Sequence, residues 1–240
     1  MTMLEVRNFK KSYGKKEAVK GIDLYVEAGE IVGFIGHNGA GKTTTLKAIA
    51  GILAFEEGRI IIGGRDITEE AVSAKQMSFF VPDEPILYEY LTGFAFLDFI
   101  ADMYEISKEK RSENISRFAT ALGIYDDLSD VIGSYSHGMK QKLSVVSALM
   151  CEPAFIILDE PFVGLDPIAT KRMVGYLRDV CDMGGAVLFS THVLDQAQKI
   201  CDKIYIIKDG LMVAGGKTDD VIGSTSLEDV FIHLAESAHE

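Results

Sequence analysis

Gly36-His37-Asn38-Gly39-Ala40-Gly41-Lys42-Thr43 stands directly after the apolar run Ile31–Ile35 and ahead of a segment of helical character. No other segment restricts the fold of the chain as strongly. Its glycines let the backbone curl around an anion, so that amide N–H groups and the positive end of the following helix meet the negative charge. A Gly-x-x-x-x-Gly-Lys-Thr run between a strand and a helix is the pattern of a phosphate-binding loop. Lys42 is then placed for the β- and γ-phosphates of a nucleoside triphosphate, the Thr43 hydroxyl for Mg2+, and Thr44 for the α-phosphate side.

A pair of carboxylates answers the loop from elsewhere in the chain. Phe155-Ile156-Ile157-Leu158 is too apolar to be solvated, and Asp159-Glu160-Pro161 follows it at once. Ligands of an open α/β sheet gather outside the carboxyl ends of its strands, which sets Asp159 beside the phosphate loop and its magnesium. Glu160, one residue on, is the candidate general base toward water. Pro161 disfavours helix geometry at the residue before it, so Glu160 is expected to be extended.

Three runs, Ile31–Ile35, Phe155–Leu158 and Ala186–Phe189, are short, continuous and bounded by Gly or charged residues, as parallel strands buried on both faces are. Leu4–Phe9, Ile22–Val26 and Arg59–Ile62, the last ahead of the turn Gly63-Gly64, predict an antiparallel sheet near the N-terminus. Between Pro85 and Met150 the period becomes helical, with Phe94, Leu97, Ala101 and Tyr104 on one face. Past Gly210 the chain is polar and Gly-rich until Ser226-Leu227-Glu228-Asp229, a capping box ahead of a short helix with Val230, Phe231 and Leu234. The expected fold class is α/β, a P-loop NTPase with a mixed sheet core, an N-terminal antiparallel β-subdomain and an inserted α-helical subdomain. One domain over 1–240 is expected, with its core at about 1–86 and 151–216, the helical insertion at about 87–150 and a tail helix at about 217–240.

Composition removes several function classes. With 36 Asp and Glu against 24 Lys and Arg the net charge is -12, and nucleic acid is not an expected partner, because counterion release needs clustered Lys and Arg. The apolar stretch Phe94–Tyr104 is broken by Asp98 and Asp102 and is far shorter than the roughly 20 residues that cross a bilayer. Met1-Thr2-Met3-Leu4-Glu5 has neither a basic nor an apolar leader region, so a cytoplasmic location is expected. Cys151, Cys181 and Cys201 form no Cys-x-x-Cys pair and are expected as reduced, mostly buried thiols.

In this order the segments resemble the ATP-binding cassette (ABC) ATPases over nearly the whole chain. Tyr13 lies where that family has an aromatic residue stacked on adenine. Ser136-His137-Gly138-Met139, after Tyr135, matches the signature that usually reads Leu-Ser-Gly-Gly-Gln, keeping Ser136 and Gly138 and departing at His137 and Met139. Gly164-Leu165-Asp166-Pro167 resembles the D-loop, and Ser190-Thr191-His192 the switch histidine. Phe79-Phe80-Val81-Pro82-Asp83-Glu84-Pro85 resembles the Q-loop, with Asp83 where Gln is common. Asp83, the Tyr-Ser-x-Gly-Met signature and the closing Ser-Leu-Glu-Asp-Val-Phe are most similar to ATPases of small bacterial ABC-2-type exporters.

What the resemblance implies is a pair of ATPase subunits, alike or different, that sandwich two ATP molecules between the P-loop of one and the signature of the other. Lys42, Glu160 and His192 would be catalytic. Tyr13, the loop Gly36, His37, Asn38, Gly39, Ala40, Gly41, Lys42, Thr43 and Thr44, and the signature residues Ser136 and Gly138 would bind ATP. Thr43, Asp159 and Asp83 would hold Mg2+. A separate membrane permease would convert closure and opening into transport, docking between the Asp83 loop and Phe94–Tyr104 and holding the subunit on the inner face of the membrane. The alternative is a soluble cassette ATPase of DNA repair or translation, where tandem cassettes or basic patches would be expected.

Overall fold

The apolar runs become neighbouring parallel strands because both of their faces are covered. The computed structural model describes residues 1–236, with side chains as far as His233. In chain order the strands are β1 (Thr2–Tyr13), β2 (Lys16–Glu27), β3 (Ile31–Ile35), β4 (Glu57–Ile62), β5 (Arg65–Asp66), β6 (Ser78–Val81), β7 (Phe155–Asp159), β8 (Ala186–Thr191), β9 (Lys203–Lys208) and β10 (Leu211–Lys217). The helices are α1 (Lys42–Ile49), α2 (Ala71–Met77), α3 (Gly93–Met103), α4 (Lys108–Leu122), α5 (His137–Met150), α6 (Pro167–Asp182), α7 (Leu194–Ile200), α8 (Thr218–Ile222) and α9 (Leu227–Glu236).

One sheet runs in the order β10-β9-β3-β8-β7-β6, parallel from β9 to β6 with β10 antiparallel at its edge. The other is antiparallel, in the order β2-β1-β4-β5. Because successive side chains of a strand point to opposite faces, each central strand feeds two cores. Ile31 and Ile35 of β3, Ile156 and Leu158 of β7, and Val187 and Phe189 of β8 face the helical side, where Leu97, Phe118, Leu143 and Leu177 pack. Val32 and Phe34, Phe155 and Ile157, and Ala186 and Leu188 face α1 and the antiparallel sheet, against Leu46, Leu4 and Leu24. This two-sided burial is the cause of the unbroken apolar runs in the sequence.

The fold class expected from the sequence is therefore present, with differences in detail. β6 and the hairpin β9–β10 are strands that the expected pattern lacks; β10 alternates exposed and half-buried residues at a sheet edge, so it carries no continuous apolar run. On α3 the buried residues are Gly93, Phe96, Leu97 and Ala101. Phe94 and Tyr104 of the expected face are only half-buried, Phe94 edge-on to Tyr125 and Tyr104 stacked on Phe79. The capping box at α9 forms as read, Ser226 Oγ accepting from the Asp229 N–H and the Asp229 carboxylate from the Ser226 N–H, each at 3.1 Å. The last residues of the expected tail, 237–240, and the side chain of Leu234 lie outside the described residues. Cys181 and Cys201 are buried and Cys151 half-buried, and burial pushes the Cys151 and Cys181 thiols up to about 12.

Candidate functional site

The carboxyl ends of β3, β8, β7 and β6 lie side by side, so the segments that follow them meet although they are far apart in sequence. After β3 the chain turns through Gly36–Gly41 into α1. Gly41 makes that turn with φ 114, and a Cβ there would sit 2.8 Å from the Ala18 carbonyl, so no other residue fits without displacing backbone. Lys42 opens the helix with only 6% of its side chain exposed, and its Nζ donates to the Gly36 carbonyl at 2.7 Å and the His37 carbonyl at 3.4 Å. A buried ammonium needs such partners and a counter-charge. Glu160 Oε1 supplies the charge at 3.5 Å.

Asp159 ends β7 directly beside Ser190 of β8 and is 1% exposed. Its Oδ1 accepts from the Ser190 hydroxyl, whereas its Oδ2 is buried without a protein partner. Glu160 corrects the sequence reading, because its φ is 47, left-handed and not extended. Pro161 excludes the right-handed helix before it, but the chain must also leave the sheet abruptly. It does so in a turn in which the Val163 N–H reaches the Glu160 carbonyl at 3.3 Å while the Glu160 N–H stays on the Ser190 carbonyl at 3.2 Å. Such a backbone costs on the order of 1–3 kcal/mol and is kept where surroundings hold it. Here it turns the carboxylate to Lys42 and to His192, whose N–H lies 3.4 Å from Oε2 and whose Nδ1 lies 3.0 Å from Oε1. That last contact has the distance of an ion pair but not the angles of a hydrogen bond, and Oε1 remains a buried acceptor with no hydrogen-bond donor.

In front of these groups lies an open cleft of about 430 Å³, lined by Tyr13, Lys16, Ala18, Asn38, Gly39, Gly41, Lys42, Thr43, Thr44, Asp83 and Glu160. Nine of the eleven stand among the residues singled out in the sequence; Lys16 and Ala18 do not. Lys16 comes to the cleft because the β1–β2 hairpin pairs it with Tyr13, a proximity that hairpin register alone creates. Tyr13 is half-exposed and has Lys11 Nζ 5.6 Å from its ring centre. Asp83 follows β6; partial burial first, then the charges of Asp159 and Glu160, hold its carboxyl above the usual range, while His137 acts in the opposite sense.

Ser136 and Gly138 do not line this cleft. Ser136 caps α5, its Oγ accepting from the Met139 N–H at 3.3 Å. Gly138 is pressed on the loop after Glu160, for a Cβ on it would sit 2.6 Å from the Gly164 carbonyl. The His137 ring covers Gly164 as well, its Cδ2 standing 3.0 Å from where a Gly164 Cβ would be. Asp166 caps α6 through the N–H groups of Ile168 and Ala169 and pairs with Lys142 at 3.1 Å. Those backbone donors and Lys142 hold its carboxyl below the usual range.

The donor set suits a triphosphate with a divalent cation. A helix N-terminus and a lysine face phosphate charge, and a buried carboxylate oxygen without a partner adjoins them, which is what a hard oxygen-seeking cation requires. Mg2+ keeps few protein ligands and shares the rest with substrate phosphates and water. Glu160 lines the same cleft as Lys42.

Comparison with known proteins agrees with this arrangement. Residues 19–163 match the family described as ABC transporter. The chain is 37% identical over 218 residues to the linearmycin resistance ATP-binding protein of Bacillus subtilis, covering 90% of this chain and 70% of that one. It is 31% identical to the ABC-type transporter ATP-binding protein EcsA of the same organism, over 100% of both. A solved ATP-binding subunit of an ABC transporter superposes with a TM-score of 0.93 at 32% identity, covering 97% of this chain and 99% of that one. The ATP-binding cassette MJ0796, solved as a dimer with ADP and Pi, shares the fold at 23% identity, with a TM-score of 0.82 over 90% of this chain and 99% of that one.

Proposed function

Since this chain belongs to the ABC transporter family, as one of its ATP-binding ATPases, we propose that it couples ATP-driven closure and opening of a pair of ATPase subunits to transport through a separate membrane permease, in the direction of export. The observation that carries the reading is the convergence of Lys42, after β3, with Asp159 and Glu160, at the end of β7, across the intervening β8, with one oxygen of each carboxylate buried and lacking a hydrogen-bond donor.

Lys42 exchanges its Glu160 contact for the β- and γ-phosphates of ATP, while the amides of Gly36–Thr44 wrap the chain of phosphates and Tyr13 offers its exposed face to the base. Asp159 and Thr43, with Asp83, would hold Mg2+, which would neutralise phosphate charge when bound. Freed from Lys42, Glu160 takes the proton of the attacking water, oriented by His192 on its other side. In phosphoryl transfer such positioning and charge stabilisation provide most of the rate. Ser136 and the first turn of α5 do not line this cleft, which fits their service to ATP held by a second subunit.

A groove of about 220 Å³ between β6 and α3, lined by Ile52, Phe79, Phe80, Ile86, Leu87 and Ile100 among others, suits a permease segment. Ile86 in its lining is 86% exposed, an apolar side chain that water alone does not explain. Among the described residues no helix is long and apolar enough to cross a membrane, so attachment to the inner face would come through the permease. Export draws on the resemblance of the signature and tail to small exporters and on the resistance named for the 37% identical relative.

The test is capture of the tagged chain from detergent-solubilised membranes. A protein with several membrane spans should co-purify with the parent and be lost with Ile86→Glu, whose isolated ATPase activity stays near that of the parent. Recovery of ribosomal or DNA-repair proteins in place of a membrane protein would refute the transporter reading.

A further inference from the structure

Ser190 is fully buried and stands beside Asp159 in the parallel register of β7 and β8. A serine hydroxyl has one proton to give and lone pairs to receive, and both capacities are used here. The proton goes to Asp159 Oδ1. The oxygen receives the Glu160 backbone N–H at 3.2 Å, an N–H that the Ser190 carbonyl also attracts at 3.2 Å. A single side-chain oxygen therefore holds two consecutive acidic residues. Neighbouring Thr191 does not share the task, since its hydroxyl accepts from the Val193 N–H at 3.0 Å.

The two contacts have separate consequences. With Oδ1 tied, the Asp159 carboxylate cannot rotate freely, and Oδ2 is the oxygen left buried and without a partner. With its N–H held on β8, Glu160 is kept at φ 47, the conformation that brings Oε1 to 3.5 Å from Lys42 and 3.0 Å from His192.

We infer that Ser190 is a positioning residue for the ATPase reaction: its hydroxyl orients Asp159 so that Oδ2 is the oxygen offered to the divalent cation, and anchors the Glu160 backbone so that the base faces the cleft. This rests on the reading of Asp159 as the metal residue. Partners that orient a metal-binding carboxylate are commonly worth about 10- to 100-fold in metal affinity or activity.

The experiment uses the full chain, Mn2+ as the probe followed by its electron paramagnetic resonance, and a non-hydrolysable ATP analogue. Without metal, Ser190→Ala should bind the analogue within about twofold of the parent, which shows the Lys42 loop and the fold intact, whereas Mn2+ in the ternary complex should bind about 10- to 100-fold more weakly. In steady state the apparent affinity for metal–ATP should weaken by up to the same factor, because nucleotide and metal binding are linked, and kcat should fall as well, since the Glu160 backbone has lost one of its anchors. Ser190→Thr, which keeps the hydroxyl, should restore Mn2+ binding. Asp159→Asn separates the two claims. If it loses Mn2+ while Ser190→Ala keeps parental affinity, the positioning role is overturned and the metal reading stands. If Asp159→Asn itself keeps parental affinity, the metal reading falls and the role of Ser190 with it.

Discussion

At the ends of β3 and β7 the polar groups hold one another. Lys42 is bonded to loop carbonyls and paired with Glu160, Glu160 is paired with Lys42 and His192, and Asp159 Oδ1 is bonded to Ser190, all within one chain, while one oxygen of each carboxylate lacks a donor. The first turn of α5 is finished differently: Ser136 only caps its helix, and Gly138 and His137 are packed on the backbone of Gly164 in the loop beyond Glu160. The strand-end site thus depends on side-chain chemistry, whereas the α5 turn depends on backbone fit against the Gly164 loop. Mutations should affect the two regions by different rules.

The largest effect is expected at the strand ends. Glu160→Gln keeps the size of the side chain and removes its basicity, so steady-state ATP turnover should drop by about 10² to 10⁴ while ATP binding persists. A rate within a factor of two of the parent would show that the buried carboxylate is not the base.

An intermediate effect is expected where the regions touch. Gly138→Ala adds a single carbon at 2.6 Å from the Gly164 carbonyl, a contact that only backbone movement can relieve. Overpacking of this kind costs about 1–3 kcal/mol, and ATPase activity should fall by about tenfold or more with a lowered melting temperature. Parental stability together with parental activity would mean that the Gly164 loop yields easily and that the two regions are not tightly joined.

The smallest effect is expected at His137. Its ring lies on Gly164 and is not part of the cleft lining, so His137→Gly should leave ATPase activity within about threefold, or ~0.6 kcal/mol. A hundredfold loss with ATP binding intact would make His137 a direct contact in hydrolysis and would erase the contrast between backbone and side-chain regions.

The site was legible in the sequence where its parts are contiguous. Gly36–Thr43 and Asp159-Glu160 each announce themselves because a strand, a turn and a functional group follow one another within a few residues. Ser190 was visible only as the neighbour of His192, since its partners Asp159 and Glu160 are about thirty residues away and come into reach only when β7 and β8 pair. Gln141 is a similar case: buried on α5, it donates to the Pro161 carbonyl at 3.4 Å, a contact no spacing in the sequence suggests.

Local chemistry in the chain determined the phosphate loop, the acidic strand end, the strands buried on both faces and the capping box of α9, because each depends on hydrophobic periodicity or on atoms a few bonds apart. Only the tertiary structure decided the left-handed turn at Glu160, the free oxygen of Asp159, the arrival of Lys16 beside Tyr13 and the fit of Gly138 on Gly164. These depend on strand order and on close approach between backbones remote in sequence. Pro161 illustrates the division: the residue before it is barred from the right-handed helix by local sterics, but which remaining conformation it takes is set by the Ser190 oxygens of the neighbouring strand.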